Sequence, residues 1–564
     1  MSDNLLELGA GGGSKVEATK LASDYLRGSI SDALASDEAA LPEADANLLK
    51  FHGSYQQEDR DQRRARREDG GGKAYQFMVR TRIPGGILSA EQYLAEDGLA
   101  QKYGNGTLRI TTRQGFQLHG ILKGDLKPAI AEINAAKLTT LAACGDVNRN
   151  VMTCPGSPRT DAEERIQATA GAIARHLTPH TSAYREIWLD GERVEGESEP
   201  LYGETYLPRK FKIGIARPND NCVDVFTQDI GLVAFVENEK LVGFTVLVGG
   251  GLGMTHGKTT TYPRLGTPLA FVSPDQVLPV VEAIVALYRD NGDRTNRKHA
   301  RLKYLVEERC IAWIRSEVMR RAAISLAPPR QVEFDGIDDH LGWHEQRDGR
   351  RSLGVFVQNG RIGDGPRVRL ASALRAILRR FKPGVRLTGQ QNLLLTDISK
   401  AEARALENVL RVHGVQVQPE NLGTRRDAMA CPALPTCGLA LTDAERVLPD
   451  VVAEIEADLG RLGIPERPLS IRMTGCPNGC ARPYMGDIGF VGKSKNLYDV
   501  FLGGDWANTR LNWLYQTSVR LSDLSATIAP LLERWRDEGG AGETFGDYCN
   551  RVGRDVLLLR AEAS

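Results

Sequence analysis

The sequence predicts an α+β protein assembled from two related halves. Two observations carry this. Apolar stretches with strand-like alternation are interleaved with stretches of helical spacing along the whole chain. In addition, LRITTRQGFQLHGI (108–121) returns as VRLTGQQNLLLTDI (385–398): strand, threonine, short polar link, glutamine, strand, then a helical segment. A looser likeness joins VGFTVLVGGGLG (242–253) to IGFVGKSKNLYDVFLGGD (488–505). Two related halves in one chain point to a pseudo-twofold structure with a site at the shared interface.

The elements follow in order. Residues 1–50 mix small, acidic and apolar residues, with a Gly-rich tip at 9–13 that is expected to be disordered. The charged run YQQEDRDQRRARREDGGG (55–72) reads as a solvated surface segment or as an arm over a pocket. FMVRTRI (77–83) alternates like a strand and ends at Pro84-Gly85-Gly86. The stretch 107–121 alternates as well. Helical spacing marks 125–138, 161–177, 274–290, 300–322, 400–414 and 444–463, and apolar strands are expected at 241–250 and 352–362.

Composition sets outer bounds. A chain of 564 residues exceeds one ordinary core, so two to four domains are expected. Lys+Arg and Asp+Glu both number 72, which argues against a protein that coats nucleic acid. No apolar run is long enough to span a membrane, and residues 1–20 show neither a signal h-region nor an Arg-rich transit pattern. A soluble, cytoplasmic protein is expected. The nine cysteines are odd in number and five are scattered, so they do not form a disulfide framework.

The other four form two close pairs, Cys431-Pro-Ala-Leu-Pro-Thr-Cys437 and Cys476-Pro-Asn-Gly-Cys480. Their spacings are wider than a zinc knuckle prefers and suit the larger [4Fe–4S] cube, which takes one thiolate per iron. Zinc, or no metal at all, stays open on spacing alone. The glycines at 249–253 fail the dinucleotide fingerprint, because His256 stands where the third glycine belongs. No FAD, FMN or NADPH site is therefore expected.

The contexts MACPALPTCGLALTDAER and RMTGCPNGCARPYMGDIGFVG resemble the sulfite and nitrite reductases that carry sirohaem. LLKFHGSYQQEDRD (48–61), GTLRITTRQGFQLHG (106–120), CGDVNRNV (144–151), TYLPRKFKIG (205–214) and VGGGLG (248–253) look like segments of the same family, in the same order. The resemblance implies a duplicated sulfite/nitrite reductase fold of three domains around a sirohaem and a [4Fe–4S] cluster. Its parts would be an N-terminal extension (1–75), ferredoxin-like half-domains (76–141 and 342–417), a first α/β domain (142–341) and a second carrying the cysteines (418–564).

It also implies residue roles. Cys431, Cys437, Cys476 and Cys480 would hold the cluster, with Cys480 bridging to the sirohaem iron. Arg80, Arg149, Lys210 and Lys212 would bind sulfite, a small dianion that needs converging cations able to double as acids. Lys210 and Lys212 are two apart, so on a strand they share a face, and clustered cations lower each other's pKa. Arg109, Thr111, Arg113 and Gln117, read as alternating along one stretch, would grip the rim carboxylates of sirohaem, with Arg209, Lys303, Gln391 and Asn478 as further contacts. His119 is expected to be structural or to support the site from behind its contact residues. A second lysine, at 212, favours sulfite over nitrite. An NADPH-oxidising flavoprotein is the expected donor and ferredoxin the alternative. A cluster-only electron carrier would need no such pocket.

Overall fold

The computed structural model describes residues 13–561. The glycines expected to be disordered at 9–12 lie outside the described residues. Four five-stranded sheets organise the chain, and they form two matching pairs.

In the first pair, Ser54–Glu58, Tyr75–Arg80, Phe116–Ile121 and Leu108–Ile110 lie side by side, and Arg361–Ile362 completes the edge. The second sheet orders Gly342–Glu345, Arg351–Val355, Leu393–Ile398 and Gly384–Leu387, and Ile87–Leu88 completes that edge. Each half-domain thus lends a two-residue strand to the other. Arg361 pairs with Arg109, and Arg386 pairs with Ile87. The exchange demands close backbone approach at one turn in each half. A Cβ on Gly86 would sit 2.6 Å from Leu387 O, and one on Gly360 would sit 2.4 Å from Ile110 O; both glycines have φ above +70°. Gln114 Nε2 donates to Leu387 O at 2.9 Å, while its repeat mate Gln391 donates to Ile110 O at 3.4 Å. The repeated glutamines are therefore the pins of the pseudo-twofold.

The second pair of sheets matches too. Asn148–Thr153, Phe211–Ala216 and Ile230–Glu237 run parallel, and Lys240–Val248 and Thr267–Val272 follow antiparallel. Ala428–Ala430, Ile471–Thr474 and Ile488–Ser494 run parallel, and Leu497–Leu502 and Trp513–Arg520 follow antiparallel. The glycine pairs after the equivalent strands do the same work. A Cβ on Gly250 would meet Gln228 O at 2.4 Å, and one on Gly504 would meet Gly486 O at 2.4 Å. Backbone-to-backbone packing thus requires glycine at 250 and at 504.

Helices cover the sheets with their apolar faces. Asp161–His176, Val277–Asn291 and Lys400–Val412 match the spacing in the sequence, and the last is closed by a Ser399–Glu402 capping box. One apolar core is continuous through both half-domains and the first α/β domain; the second α/β domain has its own.

Several expectations need correction. Ser54–Glu58 is an integral strand of the first half-domain, so its boundary falls ahead of residue 76. The stretch 107–121 is a hairpin, so Arg109, Thr111, Arg113 and Gln117 do not alternate along one strand. The stretch 352–362 breaks after Val355 into a turn, and only Arg361–Ile362 resumes as strand, in the other sheet. The helix expected over 300–322 is interrupted at Cys310, whose φ is +59°. The helix expected from 444 starts at Leu448, with Pro449 in its first turn.

Candidate active site

The four sheets converge on a cavity of about 600 Å³. All four cluster cysteines line it, as do Arg80, Arg109, Thr111, Arg113, Gln117, Arg149, Arg209, Lys210, Lys212, Gln391 and Asn478. Fifteen of the sixteen residues singled out in the sequence therefore meet at one place.

The exception is Lys303. Its Nζ donates to Gly251 O at 3.2 Å and Gly253 O at 3.0 Å, and also contacts Tyr262 O, so its charge is spent on backbone carbonyls behind the glycine loop. Arg301, two residues earlier, instead reaches the edge of a small adjoining pocket of about 40 Å³, with Lys210, Lys212, Arg482 and Cys480.

The hairpin explains how one short segment supplies four side chains. Strand alternation is not the cause. The chain folds back between Ile110 and Phe116, so Arg109 and Gln117 stand directly opposite each other, while Thr111 and Arg113 sit on the connecting turn. Arg109 Nε donates to Glu445 Oε2 at 2.9 Å, and its Nη2 donates to Ala430 O at 2.8 Å. It thereby ties the first half-domain to the segment that leads into Cys431. Arg113 bonds Gln228 Oε1 at 2.8 Å and Ile213 O at 2.8 Å, and burial holds its guanidinium down to about 9.

Lys210 and Lys212 flank Phe211 at the start of the Phe211–Ala216 strand, and both reach the cavity as the two-residue spacing requires. Burial, and then the neighbouring cations, hold Lys210 well below the usual lysine range. The same causes bring Lys212 to about 7, with Arg113 and Arg301 the strongest cationic influences. The Lys212 backbone N–H donates to Asp229 Oδ2 at 2.9 Å, and Arg301 Nη2 donates to the same oxygen at 2.8 Å. Asp229 therefore fixes the strand bearing Lys212, a role with no signal in the sequence beyond an acid inside an apolar stretch.

The orphaned atoms of the wall show what the cavity is built to take. Arg80 Nε, Arg113 Nε, Gln391 Oε1 and both ring nitrogens of His119 are buried without a protein partner. Burial and the charges of Arg361, Arg109 and Arg80 hold His119 well below its ordinary value, so it presents a neutral ring with one donor and one acceptor. His119 lines the cavity and is more than a core residue. The unpaired donors of Arg80, Arg113 and His119 fit a ligand rimmed with carboxylates.

The cysteine wall fits a cluster. Gly475 N–H donates to Cys431 Sγ at 3.3 Å, and Asn478 Nδ2 donates to Cys480 Sγ at 3.1 Å. Burial, reinforced by Cys480, pushes the Cys431 and Cys437 thiols up and Cys476 up to about 12. Such thiols ionise together only when a cationic centre compensates them. Four thiols on one wall supply one ligand for each iron of a [4Fe–4S] cube.

The charged run at 55–72 proves to be both surface and arm. The helix Arg63–Glu68 within it has no buried residue, whereas Tyr55, Gln56 and Gln57 line the cavity. Arg60 Nη1 donates to Ala440 O at 2.6 Å, and its backbone N–H donates to Pro435 O at 3.3 Å, clamping the loop that carries Cys437.

Comparison with known proteins agrees with this geometry. The nitrite and sulphite reductase 4Fe-4S domain matches residues 168–326 and 423–562, and the nitrite/sulfite reductase ferredoxin-like half domain matches 69–136 and 344–413. The chain is 46% identical over 547 residues to the sulfite reductase [NADPH] hemoprotein beta-component of Paenibacillus sp. (strain JDR-2), covering 96% of this chain and 95% of the relative. It is 46% identical over 542 residues to the protein of the same name from Myxococcus xanthus (strain DK1622), covering 96% of each. In fold it is similar to the Mycobacterium tuberculosis NirA protein, with a TM-score of 0.80 at 24% identity over 98% of this chain and 99% of that one. Both domain models match twice along the chain and relatives match it almost end to end, so the chain belongs to the nitrite and sulphite reductase family.

Proposed function

We propose that this chain is the catalytic haemoprotein component of an assimilatory sulfite reductase, reducing sulfite to sulfide with electrons passed on by an NADPH-oxidising flavoprotein. One observation carries the reading: Arg80, Arg149, Lys210 and Lys212 converge with Cys480 on one cavity that the four cysteines also line. The activity named for relatives at 46% identity supports both the substrate and the NADPH-linked donor.

Cys431, Cys437, Cys476 and Cys480 would hold the [4Fe–4S] cluster, Cys480 would serve the sirohaem as well, and the two groups when bound would supply the electrons to the substrate. The chain's own residues do the rest. Arg80 and Arg149 bind the substrate oxygens and place the anion. Lys210 and Lys212 neutralise its charge, and Lys212, near 7, gives up a proton to a departing oxygen at neutral pH. Each oxygen leaves as water, so proton delivery has to recur, and Lys212 regains its proton from the cavity water. Arg109, Thr111, Arg113, Gln117, Arg209, Gln391 and Asn478 hold the macrocycle's carboxylates and amphipathic rim, and neutral His119 adds a further contact. Lys303 braces the glycine loop instead.

No helix of the described residues is long and apolar enough to cross a membrane. A cytoplasmic setting goes with this reading. The test is an anaerobic assay with reduced viologen on sulfite and on nitrite, followed by NADPH-flavoprotein and reduced ferredoxin as donors. The proposal expects a higher kcat/KM for sulfite and turnover with the flavoprotein. Turnover of nitrite alone, or with ferredoxin alone, would overturn it.

A further inference from the structure

Away from the cavity, four side chains from three separate segments meet around one point. Cys154 follows the strand Asn148–Thr153, Asp220 closes the strand Asn219–Asp220, Cys222 comes two residues later, and His340 precedes Gly342–Glu345. Their ligand atoms all lie within 4.8 Å of one another. Cys154 Sγ is 3.3 Å from His340 Nε2 and 3.4 Å from Asp220 Oδ2, and those two atoms are 3.9 Å apart. Ligands about 2.0–2.3 Å from a tetrahedral zinc stand roughly 3.3–3.8 Å from each other, so the spacing already fits.

The surroundings are those of a prepared site. His340 Nδ1 lies 3.1 Å from Asp338 Oδ2, and the His340 backbone N–H donates to Asp338 Oδ1 at 2.8 Å. A carboxylate behind the outer ring nitrogen fixes the tautomer that aims Nε2 at a metal. The same grip holds His340 in the left-handed region, at φ +57°. Asp220 Oδ1 is taken up by the N–H groups of Cys222 at 3.0 Å and Asp338 at 3.1 Å, which leaves Oδ2 for the centre. Both cysteines are fully buried, and His340 is 4% exposed, beside Met152, Val223 and Val225. Two thiolates and a carboxylate around a dication leave one negative charge, and Arg217 stands beside it, buried and bonded to Gly156 O.

We propose that Cys154, Asp220, Cys222 and His340 bind a structural zinc ion. The donor set is soft to borderline, and four protein ligands close the coordination sphere, which suits a clasp and leaves no position for substrate. The clasp joins the first α/β domain to the segment entering the second half-domain. It also backs the cavity: Arg113 Nη1 lies 3.2 Å from Met152 Sδ, and Gln390, beside Gln391, donates to Cys222 O at 2.7 Å.

The test is elemental analysis of the holoenzyme from zinc-replete cells, after thiol alkylation at lysis of a parallel sample. About one zinc per chain is expected in addition to the iron, with two sulfur ligands near about 2.3 Å and two lighter ones near about 2.0 Å at the zinc absorption edge. The Cys154→Ser/Cys222→Ser double variant loses the zinc, and Cys310→Ser, at an exposed site, keeps it. If the double variant does not fold, the wild-type stoichiometry and edge spectrum decide alone. Zinc-free holoenzyme that takes up none after reduction and zinc addition would overturn the proposal. So would a Cys154–Cys222 disulfide in the alkylated sample.

Discussion

Lys210 Nζ donates to Asn478 Oδ1 at 3.2 Å, and through that side chain the first α/β domain touches the cysteine wall of the second. The other end of the same amide donates to Cys480 Sγ at 3.1 Å. One asparagine thus couples a substrate-side cation to the thiol assigned as the bridge. Asn478→Ala removes both bonds while leaving the four cysteines in place. Sulfite turnover should fall about 10-fold or more with both cofactors retained, because ligand-orienting partners carry effects of that order. Unchanged kcat and an unchanged reduction potential would show the asparagine to be a bystander.

Lys212 should set an alkaline limb. Its pKa near 7 is that of a lysine lowered first by burial and then by neighbouring cations. Bound carboxylates can only raise it, so the limb in kcat/KM should lie at or above 7, with activity present below it and lost as pH rises through it. Nitrite, which does not titrate in this range, separates the enzyme's limb from that of sulfite. Lys212→Arg should abolish the limb, and a limb left in place would assign it to another group.

Lys212→Asn should cost sulfite turnover more than nitrite turnover, since sulfite carries more charge and more oxygen to remove. Equal losses in the two kcat/KM values would contradict the charge argument.

A stability prediction rests on Glu96. It is fully buried, and burial raises its carboxyl to about 7 although the Thr81 hydroxyl bonds it. A carboxyl raised in the folded state contributes stability that is present below its unfolded pKa of 4.5 and is lost as pH rises through about 7. The contribution is of order 3 kcal/mol. Glu96→Gln should flatten the fall in melting temperature between about pH 5 and pH 7. An unchanged slope would place the titration elsewhere.

Cys480→Ser should disturb both cofactors. Cys549→Ser should disturb neither, because Cys549 is buried in the core of the second α/β domain and does not line the cavity. Iron content and visible absorption of the two variants check this.

The duplication was legible because a two-period pattern and the Thr–Gln link survive in both halves. The strand exchange was not: Ile87–Leu88 and Arg361–Ile362 are too short to carry a period, and their partners lie in the other half. The cysteine wall was legible from spacing and its loop residues. Arg109, Thr111, Arg113 and Gln117 were assigned to the right place for the wrong local reason, since alternation cannot distinguish one strand from a hairpin. Lys303 does not line the cavity, and helical position gives no sign of which carbonyls a long side chain will meet. Arg60 and Asp229 act through backbone far away in sequence. Cys154, Asp220, Cys222 and His340 are spread over nearly two hundred residues, and no spacing rule gathers them.

The most direct test of the central claim is electron counting. Sulfur in sulfite stands six electrons above sulfide. Anaerobic holoenzyme with a known quantity of sulfite and excess reduced viologen should oxidise six viologens for each sulfide released, without free partly reduced sulfur species. A lower ratio with thiosulfate or trithionate accumulating, or no sulfide from protein shown to hold sirohaem and cluster, would contradict the account.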